Sequence, residues 1–232
     1  MLPELPPSFA ETRDALHAVA EQVLAAAYYQ AAQHIGLRPS PRGFGTPLFG
    51  ASERVRVDTT ALVHERGNET RRHELTTLRA ASAFVGVPLG APPVYAPVTS
   101  VAPEAPLRID REASLVLAGW YALAGALLGD LKAAHAERSS SETQLWPEHL
   151  DLACELGDAD AGTRANYGAS PGDATIPEPY LYIGPWAPER RTGELGAYPF
   201  GAACTYAELR RRGEAGAAGR QFFERGAELL LG

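Results

Sequence analysis

The sequence predicts an α+β fold: a largely antiparallel sheet of about six or more strands packed against two long helices, in a single domain spanning residues 1–232. Three observations carry this reading. Two stretches, near 8–35 and 110–136, repeat apolar residues at helical spacing, whereas several short segments alternate on the period of two that a strand requires. No strand–helix alternation of the doubly wound kind runs through the chain. With 232 residues and 45% hydrophobic content, there is ample material for a core.

In chain order, Ser8-Phe9-Ala10-Glu11 fits a capping box at the start of the first helix. Leu16, Val19, Val23, Leu24, Ala27 and Ala31 then mark its packing face, and Gly36 is a natural stop. His17 and His34 flank this helix and are expected to be surface or capping residues rather than ligands. Strands are expected at 35–38 and 44–49, followed by a hairpin of 54–58 and 61–66 returning over 70–75 through Gly67-Asn68. His64 and His73 are expected to face each other across that hairpin as exposed residues. Successive strand residues point to opposite faces, so neither can chelate an ion together with its neighbour, Glu65 or Glu74. Thr76 or Thr77 can cap a short helix over 78–85, ended by Gly86 and Pro88. Residues 88–106 are proline-rich and read as an extended surface crossing.

Asp110 caps the second long helix. Residues 113–128 carry no charge, yet sixteen residues are short for a membrane span, and Gly119, Gly125 and Gly129 suit close packing in a buried helix with Trp120 and Tyr121 as its bulky contacts. The segment 143–186 reads as three strands. Along 146–156 the even positions are apolar apart from Glu148, and the odd ones include His149 and Asp151. Ser170-Pro171-Gly172-Asp173 suits a type II turn, and Pro177 and Pro179 stiffen the loop before a strand. On that strand Tyr180, Tyr182 and Trp186 share one face, with Leu181 and Ile183 on the other. The chain closes with helices expected at 206–212 and 220–231.

The segments QLWPEHLDLA, NYGASPGD and PEPYLYIGPW, with IGLRPSPRGFGTPLFG near the N-terminus, resemble an uncharacterised family of hypothetical proteins from high-GC bacteria. The resemblance covers most of the chain. It implies one folded unit and assigns no activity, cofactor or catalytic residue.

Several functions are disfavoured by composition and motif. A net charge of −7 argues against electrostatic binding of nucleic acid, and Arg210-Arg211-Arg212 reads as a helix terminus. The N-terminus lacks the basic start and apolar run of a signal peptide, so a cytoplasmic location with no membrane partner is expected. Cys154 and Cys204 are too few for a disulfide framework. Gly168-Ala169-Ser170-Pro171-Gly172 matches a nucleophile elbow in form only, because Pro171 has no N–H for an oxyanion hole and no His follows His149. No P-loop or dinucleotide fingerprint is present, and the sequence specifies no cofactor.

What remains is the aromatic segment. A small organic molecule is expected in a cleft lined by Trp146, Tyr167, Tyr180, Tyr182 and Trp186, with polar contacts from Glu148, His149, Asn166 and Asp173. Glu148, on a face otherwise apolar, and His149 are the candidates for carboxylate-assisted chemistry. His149 and Asp151, two apart on an expected strand, are the best local ligand pair, but nothing supplies a third ligand and no metal is assigned. The alternatives are that the aromatics are simply core, or that with the proline-rich loop they form an interaction or oligomerisation surface. The oligomeric state is left open.

Overall fold

The computed structural model describes Met1–Gly232 and is an α+β fold with two antiparallel five-stranded sheets where one was expected. The chain groups into two compact units: an N-terminal unit of Leu5–Ala122 with Leu145–Leu150, and a C-terminal unit of Met1–Glu4, Leu123–Gln144 and Asp151–Gly232.

The N-terminal unit begins with α1 (Phe9–Val19), which runs through a π-helical turn (Ala20–Leu24) into α2 (Ala25–Ala32). Ser8 sits at the N-cap but makes no side-chain capping bond, so the expected capping box does not form. The helix ends three residues before Gly36, at Gln33, which itself adopts the left-handed conformation (φ 58°). Strands β1 (Arg38–Ser40), β2 (Gly43–Gly45), β3 (Glu53–Asp58), β4 (Ala61–Arg66) and β5 (Glu69–Glu74) follow in simple meander order. Gly67, at φ 57°, provides the positive φ that the β4–β5 turn requires.

The expected pairing of His64 with His73 is corrected by the register, which sets His64 opposite Arg71 and Leu62 opposite His73. The two histidines share a face as diagonal neighbours, and neither is an exposed hairpin residue. Both pack on Phe84 of α3 (Leu78–Val85), and His64 is 5% exposed with Nε2 2.7 Å from Glu53 Oε1. The α3 helix is capped by Thr77, whose hydroxyl accepts the Ala80 N–H, and it ends at Gly86 as its sequence predicts.

Helix α4 (Arg111–Ala134) starts where Asp110 accepts the Ala113 N–H at 2.9 Å. By length and composition it is apolar enough to cross a membrane, and 56% of its most apolar window is buried within the fold. Its glycines are not sites of close approach: a Cβ at Gly119 or Gly129 would meet nothing within 4 Å, and one at Gly125 would meet only Leu152 at 3.8 Å.

In the C-terminal unit β7 (Asp151–Leu156), β8 (Ala165–Ser170), β9 (Tyr180–Pro185) and β10 (Ala202–Thr205) pair in chain order, and β6 (Gln144–Trp146), which precedes them, has only Gln144 in this unit. One face carries Leu152, Cys154, Tyr167, Leu181 and Ile183, and is covered from α6 (Ala215–Leu231) by Phe223. The glycines that permit close packing are on α6. A Cβ at Gly219 would fall 2.6 Å from Leu127, and one at Gly226 would fall 2.1 Å from Ile183. Cys154 and Cys204 are buried free thiols, and burial pushes both up to about 11. The short α5 (Tyr206–Arg211) closes a capping box between Thr205 and Glu208, with Arg210 and Arg211 in its last turn.

Candidate functional site

The segment expected to be a continuous strand over 146–156 is broken. Strand β6 stops at Trp146, residues 147–150 form a turn, and β7 starts at Asp151. Leu150 takes φ 51°, an uncommon conformation for a residue with a Cβ. The break corrects the proposed His149–Asp151 ligand pair, since the two no longer share one strand face. No group of three or more His, Cys, Asp or Glu side chains is arranged to hold a metal ion.

The sequence-chosen aromatics divide as well. Trp146, Glu148 and His149 belong to the N-terminal unit, and the others to the C-terminal one. There the register places Tyr182 opposite Gly168 and Tyr180 opposite Ser170, while Tyr167 stands opposite Ile183 on the reverse face, packed on Phe223. Tyr167 therefore does not line a cleft with Tyr180 and Tyr182. Those two lie 6.2 Å apart and are covered by Phe200. The Tyr182 hydroxyl donates to the Asp151 carboxylate, and the Tyr180 hydroxyl donates to Asp173. Asp173 also accepts the N–H groups of Thr175 and Ile176, so its carboxylate organises the loop before β9. Trp186 is 47% exposed, donates from Nε1 to Asn166 at 3.0 Å, and lies under the Arg164 guanidinium.

A groove in the C-terminal unit, about 730 Å³, runs along β10, α5 and α6 past Glu194, Cys204, Glu208, Arg212, Phe222 and Arg225. None of the candidate site residues chosen from sequence lines it. Arg225 within it is already paired with Glu194 at 2.7 Å and Glu228 at 3.2 Å.

In the N-terminal unit, by contrast, Glu148 lies in a polar cluster built on the π-helical turn. That turn widens the helix by one residue, with the Ala25 N–H reaching the Ala20 carbonyl, and such bulges recur at functional sites. It holds Glu21 and Gln22, both fully buried. The Glu21 carboxylate accepts the N–H groups of Val98 (3.1 Å) and Thr99 (2.8 Å) and the Thr99 hydroxyl. Gln22 donates from Nε2 to Thr99 Oγ1 at 3.2 Å, and its backbone carbonyl accepts the Gly90 N–H at 3.1 Å. These bonds tie the proline-rich strap to the helix at both ends of residues 90–99.

Between the ties stands Tyr95. Burial raises its hydroxyl far above the ordinary phenol range, and the nearby carboxylates of Glu21 and Glu148 push in the same direction. His17, one turn before Glu21, donates from Nε2 to the Pro147 carbonyl at 2.9 Å, because a carbonyl can only accept. Burial lowers the His17 pKa and the His149 ring adds to this, against the opposing pull of Glu21, the Pro147 carbonyl and Asp14.

Three buried atoms of this cluster have no hydrogen-bond partner: Gln22 Oε1, the Tyr95 hydroxyl and Glu148 Oε2. An unpartnered buried polar group costs about 1–3 kcal/mol, so three in one place mark a position for water or ligand. The groups acting electrostatically on His17 and Tyr95 are Glu21, Glu148, Asp14 and His149, with no Lys or Arg among them. The cluster is thus rich in acceptors and negative in charge.

Of its members, Glu148 and His149 were visible in the sequence as candidates. Glu21, Gln22, Tyr95 and Thr99 were not, although an adjacent Glu-Gln pair enclosed by Val19, Ala20, Val23 and Leu24 was an available signal of buried polarity. No family model, curated protein or solved structure matches the chain.

Proposed function

We propose that the protein binds a small organic molecule at the Glu21–Gln22–Tyr95–Glu148 cluster, with the proline-rich strap as one wall of the site. The observation that carries this reading is the group of three buried, unpartnered polar atoms around a π-helical turn. Two of the three are acceptors and the third is a hydroxyl, so the complementary ligand brings N–H donors, as in an amine, amidine or amide. Glu148 and His149 are the groups available for proton transfer on such a ligand. We read the location as cytoplasmic.

The test is a thermal-shift screen of metabolites divided into amine-bearing and carboxylate-bearing sets, run on the wild type and on Glu148→Gln. Amine-bearing compounds should stabilise the wild type, and the substitution should remove most of that effect while leaving the ligand-free midpoint close to its original value. A screen without amine-bearing hits, or a hit that Glu148→Gln leaves intact, refutes the assignment.

A second reading rests on the strap itself, where Val94, Val98 and Val101 are 54%, 60% and 49% exposed. An apolar strip of this kind supports association with a partner chain. Sedimentation across a concentration series separates the two readings, because only the second requires self-association or capture of a partner.

A further inference from the structure

A different surface of the N-terminal unit has its own chemistry. The exposed alternation of β3 places Arg54, Arg56 and Asp58 on one face, opposite Glu65, Val63 and Ala61 of β4. On the other side of β3 comes β2, where Gly45 lies opposite Arg56 and has no side chain to contribute. A Cβ at Gly45 would fall 2.4 Å from the Arg56 Cβ, so glycine is required there and leaves the sheet surface bare beside the arginine. Beyond it, the tight β1–β2 turn presents Ser40, Pro41 and Arg42. The result is a cavity of about 330 Å³ lined by Ser40, Pro41, Arg42, Arg54, Arg56 and Asp58.

The charges around it are unequal. Asp58 is shared by Arg42 (2.8 Å), Arg56 (3.3 Å) and Arg72 (3.2 Å), and Glu65 is shared by Arg54 and Arg56. Four guanidinium groups therefore surround two partly buried carboxylates. A third carboxylate, Glu74, comes only within 3.9 Å of Arg72 and is 62% exposed. Burial alone would raise Asp58, but Arg56, Arg42 and Arg72 outweigh it and hold the carboxyl below its usual range, as Arg54 and Arg56 do for Glu65. The Ser40 hydroxyl in the lining is buried without a partner.

Cross-strand ion pairs alone account for the arginines in contact with carboxylates. They do not account for the excess of cations around an open cavity, nor for the idle hydroxyl. We infer that this furrow binds the phosphoryl group of a small molecule, held by the guanidinium groups of Arg42, Arg54 and Arg56 and by the Ser40 hydroxyl. A phosphoryl dianion matches the surplus positive charge, and its three peripheral oxygens match a set of donors arriving from several directions better than a planar carboxylate does. Arg54 and Arg56 are two apart in sequence and so escape detection as a basic run.

The experiment titrates the intact protein with inorganic phosphate, with acetate, and with chloride at matched ionic strength, following the thermal midpoint and then calorimetry. Phosphate should give a saturable stabilisation that neither control reproduces. Arg42→Gln lies on an exposed turn and Ser40→Ala removes only the idle hydroxyl. Arg42→Gln should weaken phosphate by about tenfold and Ser40→Ala by a smaller factor, both with circular dichroism unchanged. A response to phosphate equal to that of chloride overturns the inference, as does acetate binding as well as phosphate. Retention of full affinity by both folded variants also overturns it.

Discussion

Each unit of the molecule brings tyrosine hydroxyls close to carboxylates, but the two arrangements differ in one respect. On the C-terminal sheet, Tyr182 donates to Asp151 and Tyr180 to Asp173, so each phenol hydroxyl has a protein acceptor. In the N-terminal unit, Tyr95 lies under the influence of Glu21 and Glu148 yet bonds to neither, and one Glu148 oxygen is idle as well. A phenol hydroxyl bonded within the protein adds to the rigidity of a fold, whereas one without a partner keeps its donor for something else. The residue types are the same, and the difference lies in whether the phenol hydroxyl beside the carboxylate has a protein acceptor.

The largest effect should come from removing the bonded hydroxyl of Tyr182. Tyr182→Phe removes the Asp151 partner and leaves a buried carboxylate short of a donor, so it should destabilise the protein by about 1–3 kcal/mol in urea denaturation. A midpoint equal to that of the wild type would place the two arrangements in the same class and break the comparison.

A smaller effect is expected from pH. His17 has a folded pKa below its ordinary value, chiefly because it is buried, so the unfolded chain binds the proton first. Its contribution is fully present above about pH 6.5, the unfolded value, and is lost as pH falls from there towards the folded pKa. His17→Gln should flatten the stability profile in that window relative to the wild type. Profiles that stay parallel down to pH 5 would show that His17 is not held neutral beside Glu21 and Pro147.

Much of the secondary structure was legible because it is local. The β3–β4–β5 meander follows from alternation and from Gly67, α3 from Thr77 and Gly86, and the start of α4 from Asp110. What was not legible depends on distant partners. The split of the strands into two sheets is one such feature, and the break at residues 147–150, marked by the positive φ of Leu150, is another. Glycine roles were misassigned for the same reason. Gly125 sits in the most apolar helix but touches little, whereas Gly226 is pressed on Ile183 from a strand more than forty positions earlier. The π-helical turn leaves no trace in apolar periodicity, so Glu21 and Gln22 read as ordinary helix residues. Their burial appears only once the strap from residue 90 onwards is laid over them.

The most direct test of the open site is the stability of Tyr95→Phe, measured by urea denaturation of the ligand-free protein beside Tyr182→Phe. The Tyr95 hydroxyl has no protein partner, so its removal should leave the unfolding free energy unchanged or raise it by up to about 1 kcal/mol, while abolishing stabilisation by any amine-bearing hit. A loss as large as that of Tyr182→Phe would mean that Tyr95 is bonded within the fold, and the cluster at the π-helical turn would then be a structural network like its counterpart.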